Sequence, residues 1–147
     1  MIALLCGVLL VSAPGSWSGS LLFTSGPAAG RSPPAGARPE VAHRRVVTSD
    51  GVAVALYRYG EPGRRPVLLV PELGTSRAVF DLEGEGLARH LAERGRTVYV
   101  AELRGQGAAE RPGARYRLAH RVSRDLPAVA AVIGEPFDLV AHGYAGT

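Results

Sequence analysis

Apolar segments that alternate with an amphipathic segment constrain the fold of this chain more than any other feature. Val67–Val70 is an all-apolar run followed by a proline, as expected for a strand that is covered on both faces. Asp81–Arg94 carries apolar residues at helical spacing, and Thr97–Ala101 is again typical of a strand. A strand, a helix and a strand with short connections predict two parallel neighbours in one sheet.

The flanking segments extend this pattern. Val41–Thr48 and Val52–Tyr59 surround a turn that contains Asp50 and Gly51, which predicts a β-hairpin. A further helix is expected to begin at Asp125, whose carboxylate is suited to capping, and Phe137–Ala141 is the last strand. We therefore predict an α/β fold for residues 41–147, with three αβα layers around a mostly parallel sheet.

Composition and charge exclude several classes of protein. The 147 residues are 46% hydrophobic and 20% charged, which is typical of a globular chain of one domain. The net charge of +4 comes from scattered arginines, whose pairs at Arg44-Arg45 and Arg64-Arg65 are too short for a nucleic-acid interface. Cys6 is the single cysteine, so no intrachain disulfide is possible, and no spacing of Cys and His predicts a metal site. We expect no cofactor.

Residues 1–40 differ in composition from the remainder and are interpreted as an apolar leader followed by a linker. Ile2–Val11 has the length of a signal-peptide core and is too short to cross a bilayer, but no Lys or Arg precedes it. Ser12–Pro39 is rich in Pro, Gly, Ser and Ala, which predicts disorder. Export through an atypical signal and a cytoplasmic location both remain open.

The end of the last predicted strand has the most informative loop, since open α/β sheets bind ligands at the carboxyl ends of their strands. Phe137–Thr147 resembles the strand and tight turn that carry the nucleophile in α/β-hydrolases. Small residues are required beside the nucleophile in that turn. The elbow residues that this resemblance implies are Ala141, His142, Ala145 and Gly146. Gly143 stands where that family has Ser, Cys or Asp.

The resemblance covers Val41–Thr147. Within the family, this sequence is particularly similar to the lipase/esterase-like and polyhydroxyalkanoate-synthase-like branches. Val67–Ser76 resembles the strand that leads into the oxyanion loop, and Arg104–Gly107 resembles an Arg-Gly-x-Gly turn of the family. Pro71-Glu72 replaces the usual His-Gly of that loop. The resemblance implies that the backbone N–H groups of Leu73 and Tyr144 are the oxyanion donors.

The resemblance leaves two functional classes open. Gly143 has no nucleophilic side chain, and no acid or histidine follows at the places where the family order would put them before Thr147. The chain is therefore either a relative of serine ester and acyl hydrolases, with a small ester or acyl compound as substrate if it is active, or a non-catalytic binding or scaffold member. A nucleotide-binding domain is disfavoured because Gly84-x-Gly86 lacks the rest of a dinucleotide fingerprint.

Other polar residues receive simpler interpretations. We expect His142 to point into the protein and to serve packing, and His43, His90 and His120 to be ordinary surface histidines. Capping explains Asp125 better than an acid/base pair with Glu102. Glu72 is different, because a carboxylate in an oxyanion loop repels a developing oxyanion and is suited to orient a water or a cation. Self-association through the open edge of the last strand is a further expectation.

Overall fold

A computed structural model describes residues 41–113 and 116–143, except for the side chain of Arg64. These residues form one five-stranded sheet with two α-helices. The strands are β1 Ala42–Val47, β2 Ala53–Tyr59, β3 Arg64–Val70, β4 Arg96–Glu102 and β5 Asp138–Ala141. The helices are α1 Leu87–Glu93 and α2 Leu126–Ile133.

The strand order in the sheet is β1-β2-β4-β3-β5. β2 runs antiparallel to both of its neighbours, whereas β3 is parallel to β4 on one side and to β5 on the other. Four of the five strands therefore point in one direction, and β2 alone opposes them. This confirms the mostly parallel sheet that the sequence predicts.

The β1–β2 hairpin closes through side-chain and backbone hydrogen bonds of its turn. Thr48 Oγ1 donates to Asp50 Oδ1 at 2.6 Å, and the Thr48 N–H donates to the Val52 carbonyl at 2.9 Å. Gly51 has a φ of +81°, a conformation that glycine adopts at little cost. The predicted hairpin is confirmed, and it places the Asp50 carboxylate beside the loop that follows β4.

The two faces of the sheet are covered by different helices. Along β3, Leu68 and Val70 pack in the cluster that contains Val129 and Ile133 of α2. The alternate residues of β3 pack on the other face against α1, with Ala88 and Ala92 as its buried residues. Because both faces of β3 are buried, its residues 67–70 are all apolar. The three-layer αβα architecture is confirmed.

The first helix is shorter than the predicted Asp81–Arg94. The predicted start of this helix is wrong. Gly84 and Gly86 have φ values of +86° and +139°, outside the helical region. A single bridge between Leu82 and Glu85 makes a turn there, and α1 begins at Leu87. Asp81 does not cap a helix, because its carboxylate accepts hydrogen bonds from the Tyr59 hydroxyl at 2.9 Å and from Arg89 Nε at 3.1 Å.

The capping role predicted for Asp125 is also wrong. A π-helical turn, Arg121–Asp125, runs directly into α2, and the Asp125 side chain makes no cap hydrogen bond. Its carboxylate is fully buried and binds Arg104 instead. The C-terminus follows prediction, since Gly134 ends α2 with a φ of +72° and donates its N–H to the Ala130 carbonyl at 3.0 Å.

Several sequence predictions fall outside the described residues. These are the leader and linker of residues 1–40, the oxyanion donor Tyr144 and the elbow residues Ala145 and Gly146. Within residues 41–113 and 116–143, no helix has the length and apolar character needed to cross a membrane.

Candidate functional site

The candidate site lies where two neighbouring parallel strands, β3 and β5, end at the same edge of the sheet. Val70 and Ala141, the last residues of these strands, are register partners, and the His142 N–H donates to the Val70 carbonyl at 3.0 Å. The next residues of each strand therefore emerge side by side. This register brings the predicted oxyanion loop against the predicted elbow.

Gly143 is exposed and has a φ of +60°. A left-handed backbone at this point is rare for residues with a side chain and marks a sharp change of chain direction. A Cβ added to Gly143 would lie 2.8 Å from Glu72 Cγ and closer still to the Glu72 carboxylate. The Glu72 side chain therefore occupies the space into which a side chain at position 143 would project.

The loop after β3 is held by its own hydrogen bonds and by Gln106. The Glu72 carbonyl accepts hydrogen bonds from the Thr75 N–H at 3.1 Å, from Thr75 Oγ1 at 2.7 Å and from Gln106 Nε2 at 2.5 Å. Gln106 Nε2 also donates to the Pro71 carbonyl at 3.2 Å, and its Oε1 accepts from the Leu103 N–H at 3.1 Å. The buried Gln106 thus fixes the backbone at Glu72 to the end of β4.

Leu73, one of the two predicted oxyanion donors, lies in the turn that the Glu72 and Thr75 hydrogen bond closes. Its side chain is exposed, and no backbone hydrogen bond within the described residues uses its N–H. The assignment of Leu73 as a donor stays a prediction, as does that of Tyr144, which lies outside the described residues.

The expectation that His142 points into the protein is wrong. Its side chain is 52% exposed, and its Nδ1 atom lies 3.6 Å from Glu72 Oε2. Side chains alternate along a strand, but His142 follows the last residue of β5, where the chain has already begun to turn. The imidazole therefore belongs to the candidate site.

Glu102, the last residue of β4, has a buried carboxylate that organises the two loops beside the site. It accepts hydrogen bonds from the Arg77 N–H at 2.7 Å, the Ala108 N–H at 2.8 Å and the Tyr57 hydroxyl at 3.3 Å. Burial, and then the nearby Glu102 charge, raises the pKa of Tyr57, so its hydroxyl remains a donor. These contacts give Glu102 a structural role that differs from an acid/base pair with Asp125.

Arg104 forms a second buried network under the same edge. Its two terminal nitrogens donate hydrogen bonds to the two carboxylate oxygens of Asp50, each at 2.9 Å. Its Nε donates to Asp125 Oδ1 at 2.8 Å. Arg121 Nη2 donates to the Arg104 carbonyl at 2.8 Å. The hydrogen bonds with Asp50 raise the pKa of the Arg104 guanidinium, which remains charged. The sequence does not reveal this network because Asp50 and Asp125 are distant in the chain.

The described residues contain no group of three or more His, Cys, Asp or Glu side chains that could hold a metal ion. His43 stacks on the Tyr57 ring with centroids 4.7 Å apart, and His90 Nδ1 lies 2.8 Å from Arg94 Nη1. These contacts give His43 and His90 structural roles that involve no ligand. The chemistry that the described site offers is that of a carboxylate, an imidazole and backbone N–H groups.

No protein-family profile matches the chain. It is 34% identical over 104 residues to a probable oxidoreductase, EphD, of Mycobacterium bovis and Mycobacterium tuberculosis. That alignment covers 69% of this chain and 17% of the relatives. The chain therefore spans about a sixth of the length of the curated relatives that it matches.

Solved structures give the fold. An epoxide hydrolase, VrEH1, of Vigna radiata is 27% identical with a TM-score of 0.57, covering 72% of this chain and 32% of that one. An α/β hydrolase of Novosphingobium aromaticivorans is 27% identical with a TM-score of 0.51, covering 65% and 33%. A thioesterase domain from the curacin biosynthetic pathway is 20% identical with a TM-score of 0.60, covering 70% and 36%. With the mixed sheet and its two helical layers, these similarities show that the chain is an α/β-hydrolase-fold protein.

Proposed function

We propose that this protein is a relative of serine ester and acyl hydrolases that binds small ester or acyl compounds at the β3–β5 edge and forms no covalent intermediate at position 143. An epoxide hydrolase and a thioesterase domain are among the proteins that share its fold. The chain covers about a third of those structures, so its substrate class rests on the site.

The observation that carries this proposal is Gly143 itself. It follows β5 with a φ of +60°, in the turn that resembles the nucleophile elbow, and it has no atom that can attack a carbonyl. Covalent catalysis requires a nucleophilic side chain with a base within hydrogen-bond reach. Position 143 supplies no such side chain.

Binding at this edge is supported by the arrangement around Leu73. Gln106 holds the preceding Glu72 carbonyl, and the turn leaves the Leu73 N–H without a backbone acceptor in the described part of the chain. A fixed N–H group is suited to donate a hydrogen bond to the carbonyl oxygen of a bound substrate. We propose Leu73 and Tyr144 as the two backbone donors for that oxygen.

The test uses the 147-residue chain and p-nitrophenyl butyrate, with folding checked by circular dichroism. Intact-mass measurement through the first turnovers reports any acyl adduct, and ligand-observed NMR with butyl p-nitrophenyl ether reports binding of a compound that cannot be hydrolysed. We expect binding of the ether and an unmodified mass. An acyl adduct on the wild-type chain, or failure of the folded chain to bind the ether, would refute the proposal.

The alternative is a non-catalytic binding or scaffold member, which Gly143 also favours. Turnover of p-nitrophenyl butyrate separates the two. Gly143→Ser is an informative companion, because an acyl adduct found only in that variant means that the binding geometry is retained and only the nucleophile is absent.

A further inference from the structure

In its present rotamer, the Glu72 carboxylate occupies the space of a side chain at position 143. An added Cβ at Gly143 would lie 2.8 Å from Glu72 Cγ, closer than Cβ atoms approach other heavy atoms in proteins. In an α/β-hydrolase with an ordinary elbow, the nucleophile projects from that Cβ. The carboxylate of Glu72 therefore stands at the place where the reactive side chain of such an enzyme begins.

The fold fixes the backbone from which this carboxylate projects. Three hydrogen bonds from Thr75 and Gln106 fix the Glu72 carbonyl, so only the side-chain torsions of Glu72 remain free. The side chain is 37% exposed, which leaves the carboxylate accessible to water. His142 Nδ1 lies 3.6 Å from Glu72 Oε2 and limits the directions in which the carboxylate can turn.

We propose that Glu72 is a general base that activates water for direct attack on an ester or thioester carbonyl. This inference rests on the proposed function, because it requires that an acyl compound binds at the β3–β5 edge. His142 acts through Glu72 as a positioning residue. The reaction needs no covalent intermediate and is therefore compatible with Gly143.

The proposed reaction is a direct attack of water on the carbonyl carbon. Glu72 takes a proton from water while the water oxygen forms a bond to the carbonyl carbon, and the π electrons move to the carbonyl oxygen beside the Leu73 N–H. The tetrahedral intermediate then expels the alkoxide or thiolate, which takes the proton from Glu72. The products are a carboxylic acid and an alcohol or thiol, and the Glu72 carboxylate is regenerated.

Electrostatics favours this role over that of a fixed anion. A carboxylate that stayed charged beside the carbonyl oxygen would repel the negative charge that develops there. A general base loses its charge by protonation as the oxyanion forms, so the repulsion is relieved when the barrier is reached. Positioned general bases contribute about 100-fold to 10,000-fold in rate.

The experiment compares p-nitrophenyl butyrate hydrolysis by the folded wild-type chain, Glu72→Gln, Gly143→Ala and Glu135→Gln, the last being a remote exposed carboxylate. Glu72→Gln keeps the size of the side chain and removes the base, whereas Gly143→Ala displaces the carboxylate and supplies no nucleophile. We expect wild-type turnover without a burst, and a fall of about 100-fold in kcat for both site variants. Glu135→Gln should match the wild type.

Two results would overturn the inference. One is turnover that Glu72→Gln leaves unchanged; the other is a folded wild-type chain that binds butyl p-nitrophenyl ether but shows no turnover. Both leave ether binding intact and the mass of the protein unmodified, so they are distinguishable from failure of the proposed function. For His142→Gln we expect a lower kcat with an unchanged KM, and an unchanged kcat would remove His142 from the mechanism.

Discussion

Arg104 and Asp125 form an ion pair that is almost completely withdrawn from water. Arg104 Nη2 lies 2.6 Å from Asp125 Oδ1, and the two side chains are 1% and 0% exposed. The Asp125 carboxylate also accepts the Arg104 backbone N–H at 3.0 Å. The pair joins the loop after β4 to the start of α2, which makes it a structural link beneath the candidate site.

The first prediction concerns this pair. Arg104→Met should lower the free energy of unfolding by about 3–5 kcal/mol, because it leaves the Asp125 carboxylate buried without its cation. The matched control is Arg124→Met. Arg124 contacts Asp50 at 2.6 Å but is 39% exposed, so its loss should cost less than about 1 kcal/mol. Urea unfolding measures both, and equal losses in the two variants would contradict the argument.

The second prediction concerns pH. Hydrogen bonds from Arg104, and then from Thr48, hold the pKa of Asp50 well below its usual range. The unfolded value is about 3.9. Because the folded-state pKa is depressed, the stabilisation from Asp50 is fully present above about pH 5 and is lost as the pH falls through 4 and below. The stability difference between wild type and Asp50→Asn should therefore shrink between pH 7 and pH 3. A difference that stays constant over that range would show that ionisation of Asp50 does not matter.

The third prediction concerns the turn that replaces the start of the expected helix. At Gly86, an added Cβ would lie 2.8 Å from the Phe80 carbonyl carbon and closer to its oxygen. Gly86→Ala should therefore destabilise the fold by more than about 2 kcal/mol through backbone displacement. Gly95 also has a positive φ, +77°, but an added Cβ meets no atom within 4 Å. Gly95→Ala should cost about 1 kcal/mol, measured by thermal unfolding. If Gly86→Ala had the same melting temperature as Gly95→Ala, the steric explanation would be wrong.

The fourth prediction concerns the edge of the sheet. In the described residues β5 pairs on one side only, with β3, and an unpaired edge offers N–H and C=O groups to a second chain. We expect the 147-residue chain to associate with increasing concentration in sedimentation velocity. Val47→Lys alters the opposite edge strand, where Val47 is 62% exposed, and should leave that association unchanged. A wild-type chain that remains monomeric throughout would contradict the expectation.

The elements with strong local patterns could be predicted from the sequence. The hairpin around Asp50-Gly51 and the buried strands β3 and β4 follow from turn chemistry and from apolar runs. The start of α1 could not, because apolar spacing over Asp81–Arg94 hides the backbone requirements of Gly84 and Gly86. Asp125 shows the same limit, since a carboxylate before a helix predicts a cap unless a distant arginine is known to bind it.

The candidate site was predictable in part. The resemblance assigned Glu72 to the oxyanion loop and Gly143 to the elbow, but their contact depends on the register of Val70 against Ala141, which the sequence does not reveal. The same holds for Gln106, whose bonds to the Pro71 and Glu72 carbonyls join segments more than thirty residues apart. The inward orientation expected for His142 rests on the resemblance, and it fails because His142 lies one residue beyond the end of β5.

The overlap between the present place of the Glu72 carboxylate and a side chain at position 143 also orders the changes that can occur at this site. Starting from an ancestor with a serine at 143, a glutamate at 72 could not adopt its present position until the serine had become glycine. The reverse path is equally ordered, since a new serine would have to displace the carboxylate before it could face a carbonyl. A glutamate at position 72 and a side chain at position 143 are compatible only when the carboxylate turns away from the elbow.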